Sequence, residues 1–415
     1  MKGKKILSCA MAFLYFCICI QLFPLIAAAS QNEVVNFTDD SIIITLSQQA
    51  SQNTKDYVAS DFEKIGVVSV DDLTEYTVAQ LKNFQNGLKV DGSELSDFDD
   101  FHRILKLNLK EKGKKQVLQA VETALTYTDI ISASPNYLLQ PFSNSAVLPL
   151  FDDYSNDPFS LLENSYPYSI DLRRAWELTT GNQEVLVGII DSGIDTSNPD
   201  FYGRVDMELS RDFTGDTQIL NSHGTEVATV VGAAPNNNFG VAGVCWSSKL
   251  VSLKVSTVED SAATSRIIKA IDYADSINVP ILNISLGSKG LTELDGEMKK
   301  AIENYDGLVI CAAGNFNENN DLGDDVAVYP ASFDCENIIS VASGNKDGTL
   351  MYNSNYGANS VDLVAPGRSF DSAGTSIAAP YVAGVAALMK SVKPSLTTAQ
   401  LKNYILETVD HDVSL

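Results

Sequence analysis

Residues 185–193 read Val185-Leu186-Val187-Gly188-Ile189-Ile190-Asp191-Ser192-Gly193, an uncharged run of six that stops at an acid and a turn. A strand with one wet face alternates polar and apolar residues; one that does not is covered on both faces. Similar runs recur at 250–255, 279–286, 308–312, 338–342 and 361–365, and helical patterns lie between several of them, at 266–277 and 296–305. Doubly apolar strands separated by helices specify an α/β fold, a parallel sheet with helices on both faces. Thr397 and Gln400 stand at capping-box spacing ahead of a last helix over 401–408. Ligands of such sheets bind beyond the carboxyl ends of the strands. Asp191 and Asn315 fall there, each at the end of its run.

Toward the N-terminus the texture changes. Residues 141–160, rich in Pro, Ser, Asn and Asp, read as an exposed linker. Before them, 41–46 is β-branched and strand-like, 56–65 is expected to be helical, and 102–109 alternates as a half-buried strand. Residues 114–125 carry Val117, Leu118, Val121 and Leu125 at helical spacing, and 130–137 returns to strand. That order fits a small α+β unit of the split βαβ, ferredoxin-like kind, with a second strand near 67–70. At the start, Lys2, Lys4 and Lys5 precede an uncharged apolar stretch from Ile6 to Ala29 that ends in small residues. It reads as a signal peptide cleaved before Ser30, and the rest of the chain is expected to be secreted. The alternative is an uncleaved anchor, since 6–29 is long enough to cross a bilayer; a membrane enters only in that case.

Composition narrows the function. The chain has 415 residues, 29 Lys+Arg and 53 Asp+Glu, a net charge of −24 that argues against nucleic acid as a partner. With three histidines and no Cys-x-x-Cys pair, a catalytic zinc has little to build on. Outside the signal only Cys245, Cys311 and Cys335 remain, an odd set in which at least one thiol is unpaired. Of the histidines, only His223 lies in the α/β block with a loop-to-helix setting, Asn221-Ser222-His223-Gly224-Thr225-Glu226. Ser376, in Gly374-Thr375-Ser376-Ile377-Ala378-Ala379-Pro380, starts a helix whose small residues allow a close approach to the sheet, where free N–H groups suit developing negative charge. Each signal alone also fits a cap or a turn.

Together these segments resemble the subtilisin-like serine proteases. The likeness rests on residues 187–195, Ser222-His223-Gly224-Thr225, Asn283-Ile284-Ser285-Leu286-Gly287-Ser288, Ala312-Ala313-Gly314-Asn315 and residues 374–384, in the order Asp, His, Asn, Ser. No Gly-x-Ser-x-Gly occurs, which argues against an α/β-hydrolase. The resemblance implies a serine endopeptidase acting on polypeptides. Asp191, His223 and Ser376 would form the triad, Asn315 the oxyanion donor, and Ser285, Leu286 and Gly287 the substrate-binding strand. It also implies domains of 1–29 (signal), 30–140 (a propeptide that folds and inhibits the enzyme), 141–160 (linker) and 161–415 (catalytic). Autocleavage would fall within 138–160. A structural calcium ion would take Asp200, the Asn237 side chain and the carbonyls of Phe239 and Val241; no catalytic cofactor is implied. The chain departs from the family pattern at Glu226 and Tyr381, where relatives often have histidine, and at Phe316. The stretch between Gly367 and Gly374 is short.

Overall fold

The computed structural model describes residues 36–85, 101–141, 144–145, 157, 170–216, 222–256, 262–290, 296–369 and 372–410. The apolar N-terminal stretch, His411 and most of the segment 142–169 lie outside the described residues. The first block runs β1 (Phe37–Leu46), α1 (Gln48–Ser51), a 3-10 helix (Ala59–Ile65), β2 (Val67–Asp72), α2 (Glu75–Gln85), β3 (Ile104–Leu109), α3 (Lys114–Ala124) and β4 (Ile130–Pro141). Its strands pair antiparallel in the order β4-β1-β3-β2. Ile42, Ile44, Leu105 and Leu107 pack with Val117, Val121 and Ala124 of α3 in one buried cluster. A fully buried aliphatic side chain of this size contributes about 1.5–3 kcal/mol. Ile43 and Thr45, which point to the other side, are buried as well. Helices of the second block cover that face, so the second part of β1, Ser41 to Leu46, is buried on both faces rather than alternating.

Two readings of this block are corrected. The helix expected over 56–65 is a 3-10 turn beginning at Ala59, and Phe62 leaves helical geometry inside it. Glu75–Gln85 forms a helix whose pattern was not apparent.

The second block follows a short strand, β5 (Asn144–Ser145). It comprises α4 (Leu172–Leu178), β6 (Leu186–Asp191), β7 (Arg211–Asp212), α5 (His223–Gly232), β8 (Lys249–Lys254), β9 (Ala262–Ala263) and α6 (Thr264–Ser276). Then come β10 (Ile281–Ile284), β11 (Leu286–Lys289), α7 (Gly296–Glu303), β12 (Leu308–Ala312), β13 (Val328–Tyr329), β14 (Ile338–Gly344), β15 (Leu363–Pro366) and β16 (Ser372–Ala373). It ends in α8 (Thr375–Val392) and α9 (Thr398–Glu407). Seven strands form a sheet in the order β15-β14-β12-β10-β6-β8-β7, every neighbour parallel. Val187, Ile189, Ile281 and Ile310 on one face join Val227, Val231, Ile377 and Tyr381 in a single core. Leu253, Leu282 and Val309, pointing the other way, are equally buried. A Cβ at Gly188 would come within 2.4 Å of Leu282, so the one glycine in the β6 run makes room for its neighbour. Helix α8 is long and apolar enough to cross a membrane, yet 72% of it is buried inside the protein. The expected capping box forms: Thr397 accepts from Gln400 N, and the Gln400 side chain accepts from Thr397 N.

The two blocks belong to one compact unit. Strand β4 joins them. Its first part pairs with β1, while Leu138 and Leu139 pair with Ala263 and Ala262 of β9, and Gln140 and Pro141 pair with Gly287 and Leu286 of β11. Asn144 and Ser145 pair with Ala373 and Ser372 of β16, and Asp157 is 3% exposed. The described positions of the expected linker are thus held in the fold: strand edges of the second block take up the backbone groups of Pro141, Asn144 and Ser145, and the Asp157 carboxylate accepts from loop N–H groups.

Candidate active site

Asp191 ends β6, fully buried, and His223 opens α5, 3% exposed. His223 Nδ1 lies 2.8 Å from Asp191 Oδ1 and 3.0 Å from Oδ2. A carboxylate only accepts, so Nδ1 carries the hydrogen and the other ring nitrogen is left to accept a proton. Neighbouring bonds fix the pair. Gly224 N donates to Ser192 Oγ at 2.9 Å, and Asp195 N donates to Thr225 Oγ1 at 2.9 Å. A Cβ at Gly224 would sit 2.5 Å from the Gly193 carbonyl, so only glycine lets the helix start this close to the strand end.

Ser376 is the second residue of α8 and is fully buried. Its Oγ donates to the Ser285 carbonyl at 3.1 Å, and Ser285 Oγ donates back to the Ser376 carbonyl at 3.0 Å. Asn283 Nδ2 in turn donates to Ser285 Oγ at 2.9 Å. Asn315 follows β12 across Gly314, whose φ of +110° favours glycine. Its Oδ1 accepts from both Thr375 N and Thr375 Oγ1 at 3.0 Å, which orients the amide nitrogen as the outward donor. Helices α5 and α8 pack on each other, bringing these side chains to the carboxyl end of the parallel sheet. Thr375, Ser192 and Asn283, which orient the expected residues, were not singled out in the sequence. Thr375 is legible only as the neighbour of Ser376.

The remaining sequence candidates divide. Leu286 and Gly287 do pair backbone to backbone with an extended segment, and Ser285 sits beside Ser376 instead. Glu226 accepts hydrogen bonds from Ser222 and Ser372, tying α5 to β16. Tyr381 is buried and donates to the Arg368 carbonyl at 3.2 Å. His102 is a structural residue whose Nδ1 meets the Leu46 carbonyl at 2.8 Å. Cys245, Cys311 and Cys335 are all free and buried.

Around Asp200 the loop 236–241 closes tightly. Asn237 Nδ2 donates to Asp200 Oδ1 at 2.9 Å and Asn237 Oδ1 accepts from Phe239 N at 2.8 Å. Burial, with the nearby charge of Asp157, pushes the Asp200 carboxyl up to about 6 against the donors from Asn237 and Val241. Asp157 accepts from the Asn236 and Asn237 backbone N–H groups at 2.8 and 2.9 Å. Among the described residues no group of three or more His, Cys, Asp or Glu side chains could hold a metal.

Comparison with known proteins agrees with this geometry. The subtilase family model (Peptidase_S8) matches residues 182–414. A thermophilic serine proteinase of Bacillus sp. strain AK1 is 29% identical over 99% of this chain and 94% of its own length. The subtilisin of Bacillus pumilus is 36% identical over 60% of this chain and 92% of its own. The solved structure of a protease from Pseudoalteromonas arctica superposes with a TM-score of 0.51 at 28% identity, covering 62% of this chain and 93% of that one. The chain belongs to the subtilase family and is a subtilisin-like serine endopeptidase, a hydrolase.

Proposed function

We propose that this subtilase hydrolyses polypeptides with Ser376 as nucleophile, His223 as general base and acid, Asp191 as the orienting carboxylate and Asn315 as oxyanion donor. The observation that carries the assignment is the buried Asp191–His223 pair at 2.8 Å, set at the same end of the sheet as Ser376 and Asn315. In the first step the Ser376 oxygen attacks the scissile carbonyl carbon as its proton passes to His223. The resulting oxyanion takes hydrogen bonds from Asn315 and the Ser376 N–H at the start of α8, charge that preoriented donors stabilise without reorganisation. His223 then gives its proton to the leaving amine, and water repeats the sequence on the acyl-enzyme. Ser285, Leu286 and Gly287 would line the substrate strand, since an exposed strand edge binds peptides by backbone pairing.

The first block would serve as an inhibitory and folding propeptide within residues 30–140. Its strand order β4-β1-β3-β2, with helices between, supports the split βαβ reading, and its last strand enters the cleft edges of the second block. Export by way of residues 1–29 makes the enzyme a secreted zymogen; the anchored form remains the alternative for that segment. A structural calcium ion is the reading for the Asp200 loop, where a buried carboxylate raised to about 6 accepts from Asn237 Nδ2 and Val241 N and has no cation among these contacts. Asp200, the Asn237 oxygen and the Phe239 and Val241 carbonyls would hold it, and Asp157 would add negative charge. The ion would neutralise the buried acid and stiffen the loop.

The test compares the exported chain with its Ser376→Ala variant on a gel, each treated with a fluorophosphonate probe and offered casein. Wild type should shorten by the mass of the first block, take the probe and digest casein; the variant should do none of these. Labelling or digestion that survives in Ser376→Ala would overturn the assignment.

A further inference from the structure

His223 and Ser376 stand at the starts of two different helices, α5 and α8. The distance between base and nucleophile therefore depends on what ties the two helix starts together. Glu226 makes such a tie. It lies in the first turn of α5, where an acid suits the helix N-terminus. Yet its carboxylate oxygens accept from hydroxyls: Ser222 Oγ donates to Oε1 at 2.5 Å, and Ser372 Oγ donates to Oε2. Ser222 is the N-cap residue directly before His223, and Ser372 opens β16, the strand that leads into Ser376. One carboxylate thus joins the neighbour of the base to the approach of the nucleophile. Hydrogen bonds to a charged acceptor are roughly twice as strong as neutral ones. Ser372 is 2% exposed, so water competes little for its hydroxyl.

Ser372 belongs to one of two paired arms. Gly374 N donates to the Gly367 carbonyl at 2.8 Å, Arg368 and Ala373 form an antiparallel bridge, and Ser369 N donates to the Ser372 carbonyl at 2.9 Å. Residues 367–369 are thereby held against residues 372–374. The first arm is fixed in turn from α8, where Tyr381 Oη donates to the Arg368 carbonyl at 3.2 Å. Three of the places at which the chain departs from the family pattern are Glu226, Tyr381 and the short stretch between Gly367 and Gly374. In the fold they are one connected structure, running from the N-cap of α5 through both arms to α8.

We propose that Glu226 is a positioning residue for the serine chemistry, setting the place of Ser376 against His223 by way of Ser372, and that Tyr381 supports the same arms by way of Arg368. The inference rests on Ser376 and His223 being nucleophile and base. Glu226 is bonded to Ser222 and Ser372, so it acts on geometry and takes no part in proton transfer. Without its carboxylate the two hydroxyls lose their shared acceptor, and the start of α8 is free to shift against the start of α5. A misplacement of ~1 Å between reacting groups costs on the order of 10² in rate. The substrate-pairing strand β11 belongs to none of these ties, so the loss falls on the chemical step. Glutamine at 226 can accept from one hydroxyl and donate to the other, which keeps the tie without the charge. Aspartate keeps the charge on a side chain one methylene too short to span both hydroxyls.

The experiment is inactivation of the exported chain by a fluorophosphonate, a small probe whose maximal rate constant reads how fast Ser376 reacts once the probe is bound. The number of labelled sites and the melting temperature are measured alongside. Glu226→Ala, Glu226→Asp and Ser372→Ala should each lower that rate constant about tenfold or more per labelled site, with the half-saturating probe concentration unchanged. The Glu226→Ala, Ser372→Ala double variant should be no slower than the slower single, since both remove one tie. Glu226→Gln should recover most of the lost rate and keep the pH midpoint of wild type. Tyr381→Phe, which retains the buried ring, should slow the reaction in the same sense. Glu226→Asp at the wild-type rate overturns the proposal, as do alanine variants that lose only labelled sites or melting temperature. Glu226→Gln as slow as Glu226→Ala, with a displaced pH midpoint, overturns it too, because charge at His223 is then the cause. In these cases wild type is labelled and Ser376→Ala is not, so the protease assignment stands. If Ser376→Ala takes the probe as wild type does, the assignment falls and the proposal with it.

Discussion

Asp272 offers a quantitative test of how the two blocks are joined. It lies on α6, 7% exposed, and accepts from Tyr76 N at 3.0 Å and Thr77 Oγ1 at 2.5 Å, both on α2 of the first block. No cation is paired with it by these contacts. Burial first, and then the charges of Asp72 and Asp275, push its carboxyl from 3.8 up to about 8. Between those values the folded chain holds a proton there that the unfolded chain has lost. Stability from this group is therefore fully present below about pH 4 and drains away as pH rises toward 8. The loss is about 1.4 kcal/mol per pH unit, or on the order of 2–3 kcal/mol between pH 5 and pH 7. Asn at this position does not titrate. In a Ser376→Ala background, which removes the proposed nucleophile, urea unfolding of Asp272 and Asp272→Asn chains at the two pH values isolates the effect, since the other groups cancel. The Asn variant should gain on its parent by that amount from pH 5 to pH 7. A gap that stays constant, or moves in favour of Asp, would refute the reasoning.

Other expectations are equally direct. Asn315→Ala should lower kcat by roughly 10²–10³ with little change in KM, the magnitude found for the corresponding donor in a subtilisin; an unchanged kcat would remove Asn315 from the oxyanion site. Asp191→Asn should cost on the order of 10⁴ in kcat, because the amide no longer enforces the Nδ1–H tautomer, and circular dichroism should show the fold intact. Calcium should raise the melting temperature of wild type and not of Asp200→Ala; equal shifts in both would place any ion elsewhere. Cys335 is pushed up to about 12 and Cys311 still higher, both mainly by burial. Iodoacetamide at pH 8 should therefore leave native activity intact and label the thiols only after unfolding.

Much of the architecture could be read from residue pattern because burial on both faces leaves a plain mark. The runs at 308–312 and 338–342 became β12 and β14 with ends shifted by no more than two residues. Asp191, Asn315 and Ser376 were marked by position at strand ends and a helix start. The misses have physical causes. Glu75–Gln85 has a weak apolar stripe, with Val78 and Leu81 its buried apolar positions among the side chains described, and the helix is held instead by tertiary contact with α6. The stretch 141–160 is polar and looked solvated. Pro141, Asn144 and Ser145 within it are ordered by backbone pairing, to which side-chain composition is blind. Asp157 binds main-chain N–H groups nearly 80 positions away, a relation no local pattern contains.

The continuity of β4 has a thermodynamic consequence. Four residues at an open strand edge, brought in as a free tetrapeptide, would bind weakly, because they would lose translational and rotational freedom on arrival. Here Ile130 to Tyr137 are already ordered against β1, so residues 138–141 meet the cleft at a fixed distance and orientation. Their effective concentration at the cleft is that of a tethered group and not of a solute, and the block behaves as a bivalent ligand. If the first block is the inhibitor proposed above, displacing them by an ordinary substrate means competing with a local concentration set by geometry. Dilution alone does not lower it.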